Sequence, residues 1–365
     1  MRQFTILAPM LKPRKEIQSI PSYVPGKSID EIREKYGISC VIKLASNENP
    51  LGPSPLAMAA YKKCAKKLHL YPRGAAPELA KKLAIKWKIK PENLLIGNGS
   101  DEILDLAART YLNKGDYAAG ASSTFSVYAS VTQLAGAKYK GLPLENFCYP
   151  LNGLLKEQKA KIIFVCNPNN PTGTFYPNKI IYDFLRKAPE NCLIVLDMAY
   201  AEFTGETEPP LNKWIMQFPN LLCTRTFSKL YGLAGLRIGY AVASAEIIGA
   251  LKKAKPPFNS NYPAQMAAAA ALEDLHFIEK SLKTNFEERK NLIRNLQNLG
   301  FEILPSAANF ICVKFGNKAA ELVSWLENKG IVTRHLSSFG MPAYIRITVG
   351  TKKENAMLLA LLETL

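Results

Sequence analysis

Three stretches of this chain set chemically capable side chains directly after a short apolar run. Cys192-Leu193-Ile194-Val195-Leu196 runs into Asp197, with Tyr200 three residues on. Ile162-Ile163-Phe164-Val165 leads into Asn167-Pro168-Asn169-Asn170-Pro171-Thr172-Gly173, a turn-forming cluster rich in donors and acceptors. Leu221-Leu222-Cys223 leads into Thr226-Phe227-Ser228-Lys229, and Arg237 follows eight residues after the lysine. A carboxylate at the mouth of an apolar strand needs a partner, because an unpaired buried charge is strongly unfavourable. A lysine amine can serve as nucleophile or base, and an arginine fork beside hydroxyls suits phosphate oxygens. Singly, each stretch has a plainer explanation: a helix-capping Asp, a rigid Asn-Pro loop, a solvated Ser-Lys pair. Together they point to one polar pocket with a lysine and a phosphate-sized set of donors, since open α/β sheets collect ligands at the carboxyl ends of their strands.

The elements that must hold these residues follow from the apolar periodicity. It predicts strands at 94–97, 161–166, 192–196, 221–224 and 238–242. Helices are expected near 76–88, 128–134, 179–187 and 245–253, with Ser54-Pro55 opening another towards Leu70 and Ser100 capping one through Tyr111. Such alternation implies an α/β fold with a mostly parallel sheet flanked by helices. After Pro263 the texture changes to an alanine-rich helix, a long charged helix ending at Gly300, and then strands at 301–304, 310–315, 331–334 and 345–349 with helices between and after. The expected division is therefore an N-terminal arm and part of a small domain (1–45), a large ligand-binding domain (46–262) and a smaller α+β domain (263–365). A single large domain is the alternative.

Composition narrows the class. With 365 residues, 48% hydrophobic and 21% charged, the chain can bury a sizeable core. No apolar run reaches the length of a membrane span. Residues 4–11 are apolar, but Lys12, Arg14 and Lys15 come after them, the reverse of a secretory signal, so a cytoplasmic protein is expected. Seven scattered cysteines without a C-x-x-C pair, and only three histidines, argue against a disulfide framework or a structural metal site. The net charge of +17 raises the question of nucleic acid. No nucleic-acid motif accompanies it, so a solvated lysine-rich surface is the expectation, one that would also draw in small anions.

Across almost its whole length the chain resembles the class I/II aminotransferases of fold type I, and within them the histidinol-phosphate branch. The matching strings stand in family order. They begin with Tyr23-Val24-Pro25-Gly26-Lys27, Lys43-Leu44-Ala45-Ser46-Asn47-Glu48-Asn49-Pro50-Leu51-Gly52-Pro53-Ser54-Pro55 and Tyr71-Pro72. Gly97-Asn98-Gly99-Ser100-Asp101-Glu102, Asn170-Pro171-Thr172-Gly173 and Thr226-Phe227-Ser228-Lys229 follow. Gly232-Leu233-Ala234-Gly235-Leu236-Arg237-Ile238-Gly239 and Arg346-Ile347-Thr348-Val349-Gly350 close the set.

The resemblance implies pyridoxal 5′-phosphate as cofactor, held as a Schiff base on Lys229. Asp197 would pair with its ring nitrogen, Asn170 and Tyr200 with its ring oxygen, and Phe125 would stack on its face. Arg237, Thr226, Ser228 and the backbone amides of Ser100 and Asp101 would hold its phosphate. Tyr71 would reach that phosphate from a second subunit, which implies a homodimer with shared active sites. Arg334 and Arg346, with Asn49 and with Tyr23 from the partner, would bind the substrate. The implied reaction transfers an amino group between histidinol phosphate and 2-oxoglutarate, giving imidazole acetol phosphate and glutamate. Aromatic amino-acid transamination is the alternative, and decarboxylation of threonine phosphate a more distant one. Two residues depart from the family pattern: Met198 stands where glutamate is usual, and Phe125 where tyrosine is frequent. A change of packing is expected from the first, and the loss of one hydroxyl from the second.

Overall fold

The computed structural model describes residues 11–18, 20 and 26–365, so Tyr23, expected at the substrate, lies outside the described residues. A short strand, β1 (Ile42–Lys43), comes first. The large sheet contains β2 (Leu94–Gly97), β3 (Tyr117–Ala121), β4 (Lys138–Leu142), β5 (Ile162–Cys166), β6 (Leu193–Asp197), β7 (Leu221–Thr226) and β8 (Gly239–Ala243). Their spatial order is β2-β8-β7-β6-β5-β3-β4. Strands β4, β3, β5, β6 and β7 run parallel, while β8 is antiparallel to both β7 and β2. The mostly parallel sheet is therefore present, with one reversed strand. Every residue of β5 and β6 is buried, as strands covered on both faces require.

Two strands carry no apolar signature. β3 is built from Tyr117, three alanines and Gly120, and β4 is largely solvent-facing. Small residues suit β3 because aromatic side chains crowd it: Tyr139 donates its hydroxyl to the Ala121 carbonyl at 2.8 Å, and the Ala121 N–H donates to the Tyr149 hydroxyl at 3.2 Å.

The C-terminal part supplies β9 (Glu302–Leu304), β10 (Phe310–Lys314), β11 (Ile331–Val332), β12 (Arg334–His335) and β13 (Tyr344–Thr348). An antiparallel sheet runs β12-β13-β10-β9, and β11 pairs in parallel with β1. The single strand expected over 331–334 is thus split between two sheets at Thr333. Ile42 and Leu44 share a core with Leu292, Ile311, Ile345 and Leu358, which joins the N-terminal segment to the C-terminal unit.

The alanine-rich helix Tyr262–Ala271 packs elsewhere. Ala264, Ala267, Ala268 and Ala271 are fully buried in the core of the large sheet. Along the following helix, Leu275–Asn298, Ile278 and Leu282 still lie against that core, whereas Leu292 and Leu296 belong to the small one. The passage between the two cores therefore falls within this helix, later than the boundary expected at 263. Ser54 caps the helix Pro55–Cys64 as expected, accepting from the Ala57 N–H, but an α-helical course ends at Cys64 rather than near Leu70. Among the described residues no helix is long and apolar enough to cross a membrane, and no cluster of His, Cys, Asp or Glu could hold a metal ion.

Candidate active site

A cavity of about 520 Å³ opens where β5, β6 and β7 end, bounded also by the segment 45–48 and by residues of β12 and β13. Asp197 is the last residue of β6 and only 3% exposed. Its carboxylate accepts from the Tyr128 hydroxyl at 2.7 Å and from the Ala199 N–H at 3.1 Å. Burial pushes the Asp197 carboxyl above the usual range, against the pull of these donors. Tyr128 is not among the residues the sequence singles out. Its spacing from Phe125 is one helical turn, and it stacks on Phe164 at 4.8 Å and meets Phe125 edge-on at 5.7 Å. Phe125, half-buried, lines the cavity itself.

Lys229 follows β7 and points its Nζ at the Ser46 carbonyl, 3.2 Å away. Burial lowers its pKa from 10.5 to about 8, and the Arg346 guanidinium adds to the effect while Glu48 and Asp101 oppose it. A partly buried amine that loses its proton near neutrality is equipped as a nucleophile and a base.

Beside it lies a ring of donors. The helix Ser100–Tyr111 begins at the cavity, with Gly99 in the cap position at φ +82°. Ser100 is thus the first helical residue, not the cap. The reason is space: a Cβ on residue 99 would sit 2.7 Å from Arg237 Nη2, and one on Gly239 would sit 2.7 Å from the Ser100 nitrogen. Glycines at both positions let Arg237 and the helix N-terminus converge. Arg237 donates to the Asp101 carboxylate at 3.1 Å, while Ser228 donates its N–H to Thr226 Oγ1 at 3.1 Å. An electropositive helix end, two hydroxyls and a guanidinium form a cradle for a phosphate-sized anion.

The remaining wall binds the two units together. Arg346, buried on β13, donates to Asn170 Oδ1 and, at 2.7 Å, to the Ala45 carbonyl, with the Phe310 ring 5.4 Å from its guanidinium. Arg334 on β12 is the register partner of Arg346 and lines the same cavity. The Tyr200 hydroxyl accepts from Asn47 Nδ2 at 3.0 Å, and burial raises its pKa. Asn47 is a second site residue that nothing in its local sequence marks, although it stands within the family-like stretch from Lys43 to Pro55.

Twelve of the fifteen expected site residues therefore meet at one cavity: the cradle residues, the strand-end residues and both arginines. Three do not. Asn49 does not line it, because its amide is committed to the Leu230 carbonyl at 2.8 Å and Ser281 Oγ at 3.1 Å, where it fastens the loop to the long helix. Tyr71 does not line it either; it is 83% exposed and stacks on Phe258 at 4.7 Å. Tyr23 lies outside the described residues.

The family model for aminotransferase class I and II matches residues 39–362. The chain belongs to that family. As an aminotransferase of this family it is an enzyme, and its architecture is that of fold type I. It is 42% identical over 353 residues to the histidinol-phosphate aminotransferase of Moorella thermoacetica, covering 96% of this chain and 92% of that one. It is 41% identical over 345 residues to the histidinol-phosphate aminotransferase of Caldicellulosiruptor saccharolyticus, covering 94% of this chain and 96% of that one. Among solved structures, the histidinol-phosphate aminotransferase of Sinorhizobium meliloti in complex with pyridoxal-5′-phosphate superposes with a TM-score of 0.88 at 28% identity, covering 99% of this chain and 97% of that one.

Proposed function

We propose that this aminotransferase uses pyridoxal 5′-phosphate attached to Lys229 to exchange the amino group of histidinol phosphate with 2-oxoglutarate. The observation that carries this reading is Arg334 standing opposite Arg346 in the cavity that contains Lys229, in a chain whose relatives are histidinol-phosphate aminotransferases. Both substrates carry two or more negative oxygens at one end, which suits a pair of guanidinium forks.

The residues fit the cofactor. Asp197 is buried, and its hydrogen bonds from Tyr128 and Ala199 come from neutral donors, so its ionised form favours a cationic neighbour. The glycine-lined cradle around Arg237 and Ser100 fits a phosphate, and Lys229 offers an amine to an aldehyde.

When bound, the pyridoxal ring supplies an electron sink for the carbon that bears the substrate amine. Asp197 would hold a proton at the ring nitrogen. Tyr200 and Asn170 would donate to the ring oxygen, and Phe125 would cover one face and exclude water. Lys229 Nζ, freed by the incoming substrate, would take the proton from the amine-bearing carbon and return one elsewhere, a step that a pKa of about 8 suits at neutral pH. Arg346 would fix the anionic end so that the bond to be broken faces Lys229.

A homodimer and a cytoplasmic setting belong to the same proposal. Supporting a dimer, Tyr71 and Phe258 stack on each other while 83% and 46% exposed, and Leu68 and Leu70, close to Tyr71 in sequence, are 64% and 56% exposed. Supporting the cytoplasm, all seven cysteines are free thiols. Tyr23 and Asn49 remain proposed at the substrate on the resemblance alone, with the commitment of the Asn49 amide weighing against a direct contact.

The test is a donor screen with 2-oxoglutarate as acceptor, followed by the change in cofactor absorbance. Transfer from histidinol phosphate at least ten times faster, in kcat/KM, than from phenylalanine or tyrosine is the expected result. Preference for the aromatic donors, or release of carbon dioxide from threonine phosphate, would move the assignment to those reactions.

A further inference from the structure

Asn47 is 1% exposed and takes a left-handed backbone conformation, φ +55°, which asparagine tolerates better than most residues. All four of its polar groups are used. Its N–H donates to Thr348 Oγ1 at 2.9 Å, and its carbonyl accepts from Asn309 Nδ2 at 2.9 Å. Its Oδ1 accepts from Thr348 Oγ1 at 3.3 Å, and its Nδ2 donates to the Tyr200 hydroxyl at 3.0 Å. The network sets the amide orientation: Thr348 Oγ1 receives the backbone proton and so has its own to give to Oδ1, which leaves the NH₂ facing Tyr200.

The direction of that last bond matters. Burial keeps the Tyr200 phenol protonated, and its oxygen already accepts from Asn47, so its own proton is left to point at another acceptor in the cavity. The two residues before Asn47 make related contacts, for the Ala45 carbonyl accepts from Arg346 and the Ser46 carbonyl from Lys229. Thr348 lies two residues beyond Arg346 on β13.

We propose that Asn47 is a positioning residue that fixes the Tyr200 hydroxyl as a hydrogen-bond donor and ties it to the strand carrying Arg346. Asn47 acts through Tyr200, and this inference rests on the pyridoxal reading above. A donor on the ring oxygen of the cofactor favours the anionic oxygen and weakens its hold on a neighbouring proton. Taking away the direction of that donor lets the oxygen hold the proton more tightly, so the pH midpoint of the cofactor's visible absorbance moves up.

The experiment is a pH titration of bound-cofactor absorbance in the holoenzyme and four variants: Asn47→Gly, which tolerates the positive φ, Thr348→Val, Tyr200→Phe and the double variant Asn47→Gly/Tyr200→Phe. The expected midpoint for Asn47→Gly lies about one pH unit above wild type, the size of one hydrogen bond. Thr348→Val, which frees the Asn47 carboxamide to turn, moves the same way by less. The double variant titrates together with Tyr200→Phe alone, because a residue acting through the phenol has nothing left to act on. A midpoint unmoved in both Asn47→Gly and Thr348→Val overturns the inference, as do shifts of Asn47→Gly and Tyr200→Phe that add. A wild-type protein that binds no pyridoxal phosphate overturns the cofactor reading itself, and the inference with it.

Discussion

Arg334 and Arg346 are register partners in the antiparallel β12–β13 pair, two like charges set opposite each other at the rim of one cavity. Like charges in that relation destabilise a strand pair, and an anion held by both would reverse the sign. We expect Arg334→Ala to raise KM for histidinol phosphate roughly 10- to 100-fold, the loss of one charge-assisted contact, with kcat changed far less. Arg346 also holds Asn170 and the Ala45 carbonyl. Its replacement by alanine should lower kcat/KM at least ~10³-fold for both half-reactions, and lysine, lacking the planar fork, should restore little. Steady-state kinetics with each substrate checks both.

The Lys229 amine, with its pKa lowered to about 8, is a nucleophile in a range where an ordinary lysine is not. Deprotonation makes the attacking form, so the rate at which the apoenzyme takes up pyridoxal phosphate should climb with pH and level off above about 8. At pH 7 the neutral fraction should exceed that of an ordinary lysine by on the order of a hundred-fold. Stopped-flow absorbance gives the profile; a rate still rising steeply past pH 9.5 would show an unperturbed amine. Lys229→Ala should lose transamination by about 10³-fold or more and retain no borohydride-fixed cofactor.

Asp197 makes the opposite bargain between stability and use. Its carboxyl pKa is raised in the folded protein, so the proton is held more tightly there than in the unfolded chain. That stabilising contribution is complete below the unfolded-state pKa and disappears as pH rises through the folded one, beyond which the buried carboxylate is charged. Asp197→Asn should therefore raise the melting temperature of the apoenzyme at pH 7 by ~2 °C while lowering kcat at least ~10²-fold. The gain should vanish near pH 3, where the wild-type carboxyl is protonated as well. Calorimetry of both apoproteins at the two pH values checks the sign.

Tyr71 is exposed on its own chain, and we expect it to act in the active site of a partner. Tyr71→Ala and Lys229→Ala should each be poorly active as pure proteins. Mixed after subunit exchange, they should recover activity, because one site of the hybrid then has both residues intact. Recovery absent despite demonstrated exchange would place Tyr71 outside the partner's site.

Much of this molecule is legible in one dimension. β2, β5, β6, β7 and β8 show as apolar runs, and Ser54-Pro55 shows as a helix start. Legibility fails where side-chain type is decided by neighbours rather than by periodicity. β3 is small because Tyr139 and Tyr149 press on it. The alanines of Tyr262–Ala271 pack on the large core although the sequence around them changes texture. Tyr128 and Asn47 escape notice because neither a buried tyrosine on a helix nor an asparagine in a loop is unusual until its partner, Asp197 or Tyr200, is seen in space.

What the sequence determined by itself is the set of reactive groups and the strands that end in them, because both are local: an apolar run followed by Asp197, Asn170 or Lys229 declares a strand mouth wherever it occurs. The tertiary structure alone decided how those groups are tuned. Burial lowered the Lys229 pKa, the split at Thr333 set Arg334 opposite Arg346, and contacts across some three hundred residues brought Asn47 to Thr348. Desolvation and long-range pairing depend on what the rest of the chain places nearby, and no short window of residues contains that information.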